Sequence, residues 1–249
     1  MISAISTRQI TTIIGLGVAA IIGVICTIVI FKRDPRYNAN RFTSLAYLSL
    51  TIAFSINVIY VLIILEEVVS FLHRLTNLFG IIGVSFLFLS AMYLSEGDES
   101  LRSNRMIIIA FNALFGLSIM FSPGVKVFTG ETALPGSEQF IEWDVLFFFL
   151  ATIPIYITLL TAFYYYLKIW KEIPSNTPAK WACSLIIIGT IFLGFSHFLI
   201  VIPHILRTMI TEISTLVLIA NVGSIGVLIG ILLIFWGYRT TVSVQNGSI

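Results

Sequence analysis

The run ISTLVLIANVGSIGVLIGILLIFWGY, from Ile213 to Tyr238, contains no charged residue. A helix needs about 20 consecutive apolar residues to cross the hydrocarbon core of a bilayer, and this run is longer than that. A helix that is apolar on all sides belongs either in a membrane or deep inside a large protein. The run therefore predicts a membrane-spanning helix near the C-terminus of the sequence.

The composition of the whole chain is also strongly apolar. Its 249 residues are 58% hydrophobic and 10% charged, whereas soluble domains carry about 25% charged residues. A net charge of +2 leaves no basic face for nucleic acid, and two cysteines exclude a disulfide framework. We therefore predict an all-α, polytopic membrane protein that lies in the lipid bilayer and binds no nucleic acid.

Charges and turn residues divide the chain into seven apolar runs. The fourth is the shortest, because the turn Ser122-Pro123-Gly124 stops it near the lower limit of about 17 residues for a span. Short connections favour one antiparallel bundle, so residues 1–249 are expected to form a single domain. We predict membrane-spanning helices at about 10–31, 42–65, 75–95, 106–122, 145–167, 181–206 and 213–238.

The distribution of basic residues predicts the orientation of this bundle. Ten of the 14 Lys and Arg residues fall in the first, third and fifth connections and the C-terminal tail, against four on the other side. Because basic residues concentrate in cytoplasmic loops, we predict an outer N-terminus and a cytoplasmic C-terminus. The first apolar run ends in Lys32-Arg33, a stop-transfer pattern. We expect a multi-pass protein of the cell membrane.

The sequence lacks the residues that several kinds of membrane-protein chemistry require. All five lysines lie at helix ends or in loops, so no lysine is placed to hold retinal through a Schiff base. No Asp or Glu falls in the central part of a predicted span, where carboxylate-driven pumps have their relays. Hydrolase and phosphate-binding motifs are missing from the sequence, and its three histidines follow no haem or zinc pattern. We expect no enzyme, no metal site and no cofactor.

The polar residues that remain in the spans concentrate in the outer half of the predicted bundle. His73 and Asn77 are four residues apart and share a helix face, and His197 and His204 are two turns apart. Two interpretations stay open: a polar pocket open to the outside, or hydrogen bonds between helices. The candidate ligand-binding residues are His197, His204, Asn77, His73, Asn57, Tyr60, Asn221 and Tyr156, and the candidate rim residues are Arg74, Glu66, Glu67, Glu142, Asp144, Arg207 and Glu212.

Four local expectations accompany this layer. Pro203 is expected to kink the sixth helix, because proline removes a backbone hydrogen bond. Arg74 is expected to pair with Glu66 or Glu67, which we place at the end of the second helix. Asn112 is the one amide predicted toward the inner side. An inner interfacial belt is expected from Tyr164, Tyr165, Tyr166, Trp170 and Trp181.

Small residues mark two helix faces that can approach another helix closely. Gly15, Ala19 and Gly23 recur every four residues in the first helix, and Gly226 and Gly230 form a GxxxG pattern in the seventh. Both faces are compatible with packing inside the bundle or with a homodimer.

Features of the loops suggest a family resemblance. They are the basic first inner loop Lys32-Arg33-Asp34-Pro35-Arg36, the entry Asn40-Arg41-Phe42 into the second helix, and the long outer loop from Ser122 to Asp144. With a short outer N-terminus, this plan resembles the seven-helix N-terminal sensor region of prokaryotic histidine kinases. That family continues into a cytoplasmic kinase that this sequence does not include. The resemblance therefore implies a membrane sensor that signals through a separate partner.

Three hypotheses about function follow. The first is a receptor-like sensor that binds a small ligand or lipid from the outer side. The second is a non-catalytic structural or accessory subunit of a membrane complex, and the third is a small carrier or channel. A sensor needs the polar layer to converge on a cavity, a subunit needs an exposed seam, and a carrier needs a polar path to the inner face.

Overall fold

The computed structural model describes residues 7–63, 65–98, 106–122, 125–129, 139–206 and 213–245. These residues form eight helices and one antiparallel pair of strands. In chain order the elements are α1 (Thr7–Arg33), α2 (Asn38–Val61), α3 (Glu66–Glu96), α4 (Ile107–Phe121), β1 (Val125–Thr129), β2 (Gln139–Trp143), α5 (Val145–Glu172), α6 (Pro178–Val201), α7 (Pro203–Leu206) and α8 (Ile213–Gln245).

The lengths of the helices confirm a helical membrane protein. Six of the described helices, α1, α2, α3, α5, α6 and α8, are long and apolar enough to cross a bilayer. The seventh apolar helix, α4, has 15 residues and is about 22 Å long, short of a hydrocarbon core of about 30 Å. Seven apolar helices were predicted and are present, but only six have the length of a span.

The boundary between the second and third helices differs from the prediction. Helix α2 ends at Val61 rather than at residue 65, and α3 begins at Glu66 rather than at residue 75. Glu66 and Glu67 therefore belong to the first turn of α3, where the partial positive charge of a helix N-terminus favours carboxylates. At its other end, α3 stops at Gly97, whose φ of +65° suits a residue without a Cβ.

The predicted sixth helix is divided in two. Helix α6 ends at Val201, Ile202 lies in a turn, and the short α7 starts at Pro203. Proline has no N–H to continue a helix but fits its first turn. The structure thus has a break where a kink was predicted.

A small hairpin occupies part of the long connection between α4 and α5. Strands β1 and β2 pair antiparallel from Val125 opposite Trp143 to Thr129 opposite Gln139. This pair of strands is an addition to the predicted all-α architecture. Strand β1 packs on α3 and strand β2 on α7, so the hairpin lies across one end of the bundle.

The long helices form a closed ring in the order α1, α2, α3, α5, α6, α8, with α8 returning to α1, and α4 packs against α3 and α5. At one end, which we call the basic end, Arg33 meets Tyr238, and Lys168 pairs with Glu96 at 3.4 Å. The other end carries the hairpin and is called the hairpin end. The described basic residues of the basic end are Lys32, Arg33, Arg36, Arg41, Lys168, Lys171, Lys180 and Arg239.

Helix α4 is held to its neighbours by a buried amide. Asn112 is 2% exposed, and its Nδ2 donates to Ser85 Oγ of α3 at 2.7 Å and to Thr158 Oγ1 of α5 at 2.8 Å. Asn112 was predicted as the one amide toward the inner side of the bundle. In the structure its side chain joins three helices through hydrogen bonds.

Glycines bring α6 and α8 into backbone contact. A Cβ on Gly230 would lie 2.8 Å from the carbonyl oxygen of Gly189, and one on Gly189 would lie 2.7 Å from that of Gly230. Gly226 likewise packs on Ser196 of α6. The face formed by Gly226 and Gly230 therefore packs within one chain and is covered by α6.

One part of the small-residue face of α1 is packed inside the bundle, and the other part is exposed. Ala19 is 3% exposed, and Gly23 is buried against Thr51 of α2. Around Gly15 a side chain would meet no atom within 4 Å. Within the described structure, only the Gly15 end of this face is open to a second chain.

Candidate functional site

A cavity of about 180 Å³ lies inside the ring of helices. Side chains of α2, α3, α5, α6 and α8 line it, together with Trp143 at the end of β2. Its polar members are Tyr47, Asn57, His73, Thr76, Asn77 and His197, and its apolar members include Leu50, Phe54, Leu87, Ile155, Leu193 and Ile231.

His73 and Trp143 meet at the hairpin end of the cavity. Trp143 Nε1 donates a 2.8 Å hydrogen bond to His73 Nε2, and the two rings are edge-to-face at 5.5 Å. Because Nε2 accepts this bond, the ring is neutral with its proton on Nδ1. Both residues are 5% exposed. The hairpin thus positions an aromatic side chain over the polar part of the cavity.

One turn further along α3, Asn77 and Thr76 also line the cavity. Asn77 Nδ2 donates to the carbonyl oxygen of His73 at 2.9 Å. Among the described residues, Asn77 Oδ1 has no hydrogen-bond partner, and neither has the buried Thr76 Oγ1. Helix α3 therefore carries two side-chain oxygen atoms that make no hydrogen bond to the described residues.

His197 enters the cavity from α6 and is held by Tyr156 of α5. Tyr156 OH lies 3.4 Å from the carbonyl oxygen of Gly194 and 3.3 Å from His197 Nδ1. The second ring nitrogen of His197, Nε2, makes no hydrogen bond to the described residues.

Tyr156 itself belongs to a second concavity between α5 and α6. This groove has a volume of about 380 Å³ and is almost entirely apolar. Of the residues described there, Leu159 lines both the groove and the central cavity. The Tyr156–His197 contact and Leu159 therefore form the boundary between the two spaces.

Four of the eight candidate ligand-binding residues line the cavity: Asn57, His73, Asn77 and His197. Tyr156 is one hydrogen bond away, whereas Asn221 is not among the lining residues. The side chains of Tyr60 and His204 lie outside the described residues. Tyr47 and Thr76 were not predicted, because Tyr and Thr are common in spans and nothing in their spacing distinguishes them from residues that face lipid.

The candidate rim residues that the structure describes do not form a rim around the cavity. Asp144 caps α5, since its Oδ1 accepts from the Leu146 N–H at 2.8 Å. Glu67 is exposed, and it makes no described ion pair with Arg74, whose Nε is buried without a partner. Glu67 and Arg74 lie on the same helix, two turns or about 10 Å apart, instead of facing each other across a loop, and the alternative pair of Arg74 with Glu66 lies outside the described residues. The side chains of Glu66, Glu142, Arg207 and Glu212 lie outside the described residues.

A second polar cluster lies buried near the basic end. Ser90 Oγ is 2.8 Å from Thr43 Oγ1 and 2.7 Å from Tyr238 OH, which is 3.0 Å from Tyr166 OH. Burial also raises the pKa of Tyr37, which lies in the connection from α1 to α2 beside the Tyr93 ring. Its hydroxyl therefore stays protonated at neutral pH.

This cluster corrects the predicted aromatic belt. Tyr164 is 62% exposed, but Tyr165 and Tyr166 are buried. Consecutive residues of a helix point about 100° apart, so three in a row cannot all face lipid. Trp170 and Trp181 remain on the surface near the basic end.

Within the described residues, no three His, Cys, Asp or Glu side chains are grouped as metal ligands. Comparison with protein-family models gives no match, and comparison with curated proteins gives no significant similarity. The chemistry of the cavity therefore has to be interpreted from its own residues.

Proposed function

We propose that this protein is a membrane sensor that binds a small, largely apolar molecule in the central cavity and signals through a separate partner. The convergence of Asn57, His73, Asn77 and His197 on one cavity carries this proposal. These residues come from three helices that are distant in sequence. A cavity of about 150 Å³ accommodates a benzene ring, so the 180 Å³ found here suits a ligand of similar or slightly larger size.

The unused polar atoms indicate the chemistry of this ligand. His197 Nε2 and Asn77 Oδ1 make no hydrogen bond to the described residues, and the amide oxygen of Asn77 can only accept one. A hydrogen bond to such an atom contributes about 0.5–1.5 kcal/mol, so a ligand that donates an O–H or N–H to Asn77 is favoured. No charged side chain is among the lining residues, which favours a neutral molecule such as an alcohol, a phenol or an amide.

The other two hypotheses receive less support. Toward the basic end, the cavity is lined by Leu87, Ile231 and Ile234 and by Tyr47, whose hydroxyl donates to the Ile231 carbonyl oxygen at 2.8 Å. Because that hydroxyl is bonded within the bundle and the other three side chains are apolar, this end of the cavity gives little support to a carrier with a polar path. Buried polar residues that only join helices, as Asn112 does, favour an accessory subunit. The accessory subunit remains the alternative to a sensor, and it predicts that variants of the cavity residues lose stability rather than ligand binding.

Binding is tested with cyclohexanol as a probe and Trp143 as the reporter. A protein that keeps Trp143 and has Phe at the other three tryptophans is titrated in detergent micelles. We expect a saturable change in Trp143 fluorescence with cyclohexanol and a weaker response to methylcyclohexane, which has the same size but no hydroxyl. Replacing Asn77 or His197 with leucine should weaken cyclohexanol binding about tenfold, because the cyclohexanol hydroxyl loses a hydrogen-bond partner.

Asn221→Leu is the matched control, since it removes the same amide from a position that does not line the cavity. It should leave the cyclohexanol titration unchanged. An equal effect of Asn77→Leu and Asn221→Leu, or the lack of a saturable response, would contradict the sensor proposal. Loss of thermal stability in the Asn77 and His197 variants without a change in the titration would favour the accessory subunit.

The orientation belongs to the same proposal, because it places the hairpin end of the cavity outside the cell. It rests on the ten-to-four distribution of basic residues. In a protein without Cys26 and Cys183, we expect a membrane-impermeant thiol reagent to label Ser137→Cys in intact cells. Ser243→Cys should be labelled only after the membrane is opened. External labelling of Ser243→Cys would reverse the orientation.

A further inference from the structure

A groove between α1 and α8 opens at the basic end of the bundle. It has a volume of about 310 Å³ and is lined by Val29, Ile30, Arg33, Phe235 and Arg239. The groove is separate from the central cavity and shares no lining residue with it.

The two arginines of the groove have no acidic partner among the described residues. Arg33 Nη1 donates to the carbonyl oxygen of Tyr238 at 2.6 Å, and the Arg239 guanidinium lies 5.6 Å from the centre of the Trp236 ring. At the same end, by contrast, Lys168 is paired with Glu96. Because an arginine carries five N–H donors, Arg33 and Arg239 keep most of theirs for another acceptor. Two like charges on one groove repel each other, and an anion between them relieves that repulsion.

The position of the groove relates it to the membrane surface. Arg33 is the last residue of the candidate span Ile13–Arg33, and Arg239 is next to the last residue of Leu218–Thr240. Both guanidinium groups therefore lie at the level of lipid headgroups if these spans cross the bilayer. Val29, Ile30 and Phe235 lie about one turn deeper, where the acyl chains begin.

We propose that this groove binds a phospholipid with a net negative headgroup. The phosphate lies between Arg33 and Arg239, and an acyl chain lies against Val29, Ile30 and Phe235. The planar fork of guanidinium N–H groups matches two phosphate oxygens at once. Anionic lipids are attracted to basic residues at a membrane surface, and the groove adds a defined apolar contact to that attraction. This site is independent of the ligand of the central cavity.

Trp236 provides a local reporter for the test, because it is exposed beside Arg239. The full chain, with Trp236 as its only tryptophan, is reconstituted in phosphatidylcholine vesicles that contain a minor fraction of brominated lipid. At equal mole fraction, we expect brominated phosphatidylglycerol to quench Trp236 about twofold or more beyond brominated phosphatidylcholine. Fluorescence is expressed relative to the same lipid without bromine, so changes in Trp236 itself cancel.

The double variant Arg33→Gln/Arg239→Gln should lose the excess quenching by phosphatidylglycerol. Lys32→Gln/Arg36→Gln is the matched control, since it removes the same charge from exposed positions at the same end outside the groove. It should retain the excess. Equal quenching by the two lipids, or equal loss of the excess in both double variants, would overturn the proposal in favour of diffuse attraction to the surface. A thermal unfolding curve of each variant identifies any loss of the fold.

Discussion

Replacing Gly230 with leucine is expected to force α6 and α8 apart and to lower the free energy of unfolding by about 3 kcal/mol or more. A Cβ at this position would lie 2.8 Å from the carbonyl oxygen of Gly189 and 3.1 Å from the Leu193 backbone nitrogen. These are backbone atoms, so the neighbouring helix cannot yield by a change of rotamer. The leucine would add three further carbon atoms to the same space, and the two helices would have to separate.

Gly17→Leu is the matched control for this substitution. Gly17 also lies inside a membrane helix, but a Cβ there would meet no atom within 4 Å. Both changes replace glycine by leucine in a helix interior and gain similar helix propensity, about 0.8–1.0 kcal/mol. Unfolding in mixed detergent micelles should therefore show a loss for Gly230→Leu and no loss for Gly17→Leu. Equal stability of the two variants would mean that the close approach of α6 and α8 does not contribute to the fold.

Replacing Tyr238 with phenylalanine is expected to lower the free energy of unfolding by about 2 kcal/mol. The change removes the hydroxyl that joins Ser90 of α3 to Tyr166 of α5. Tyr166 is completely buried, and Tyr238 is the partner that the structure describes for its hydroxyl. A hydroxyl without a partner in this environment has no water to bond instead, so its desolvation cost remains.

Two further variants separate the hydrogen bond from the ring. Tyr164→Phe removes the same hydroxyl from an exposed residue two positions from Tyr166, and the stability should stay within about 0.5 kcal/mol of the parent protein. Tyr166→Phe combined with Tyr238→Phe should cost less than the sum of the single changes, because the pair is removed together. Strict additivity in this cycle would show that the two hydroxyls do not interact.

Much of the architecture was predictable from the sequence because the solvent restricts it so strongly. In hydrocarbon every backbone polar group must be bonded internally, so a charge-free run of sufficient length can only be a helix. The runs around 10–31, 145–167 and 213–238 accordingly became α1, α5 and α8. Boundaries are harder to predict where charged residues begin a helix, as Glu66 does, because a charge marks the end of an apolar run without marking the end of a helix.

The candidate cavity was predictable only in part. The spacing of His73 and Asn77 placed both on one face of α3, and both line the cavity. Asn221 carries the same kind of amide at a similar predicted depth but does not line it. A single sequence gives the depth of a residue along its helix, but it does not give the direction in which the helix is turned. The missing information is the order of helices around the ring.

The sequence by itself therefore determined the membrane class, the seven apolar helices and the concentration of positive charge at one end. Tertiary structure alone decided that Tyr166 is buried while Tyr164 is exposed, that Gly230 contacts α6, and that His197 and Asn77 line the same cavity. The physical reason is that lipid and protein interior are both apolar. A helix between them has no strongly polar face to mark its outer side, so which face turns inward depends on packing with the other helices.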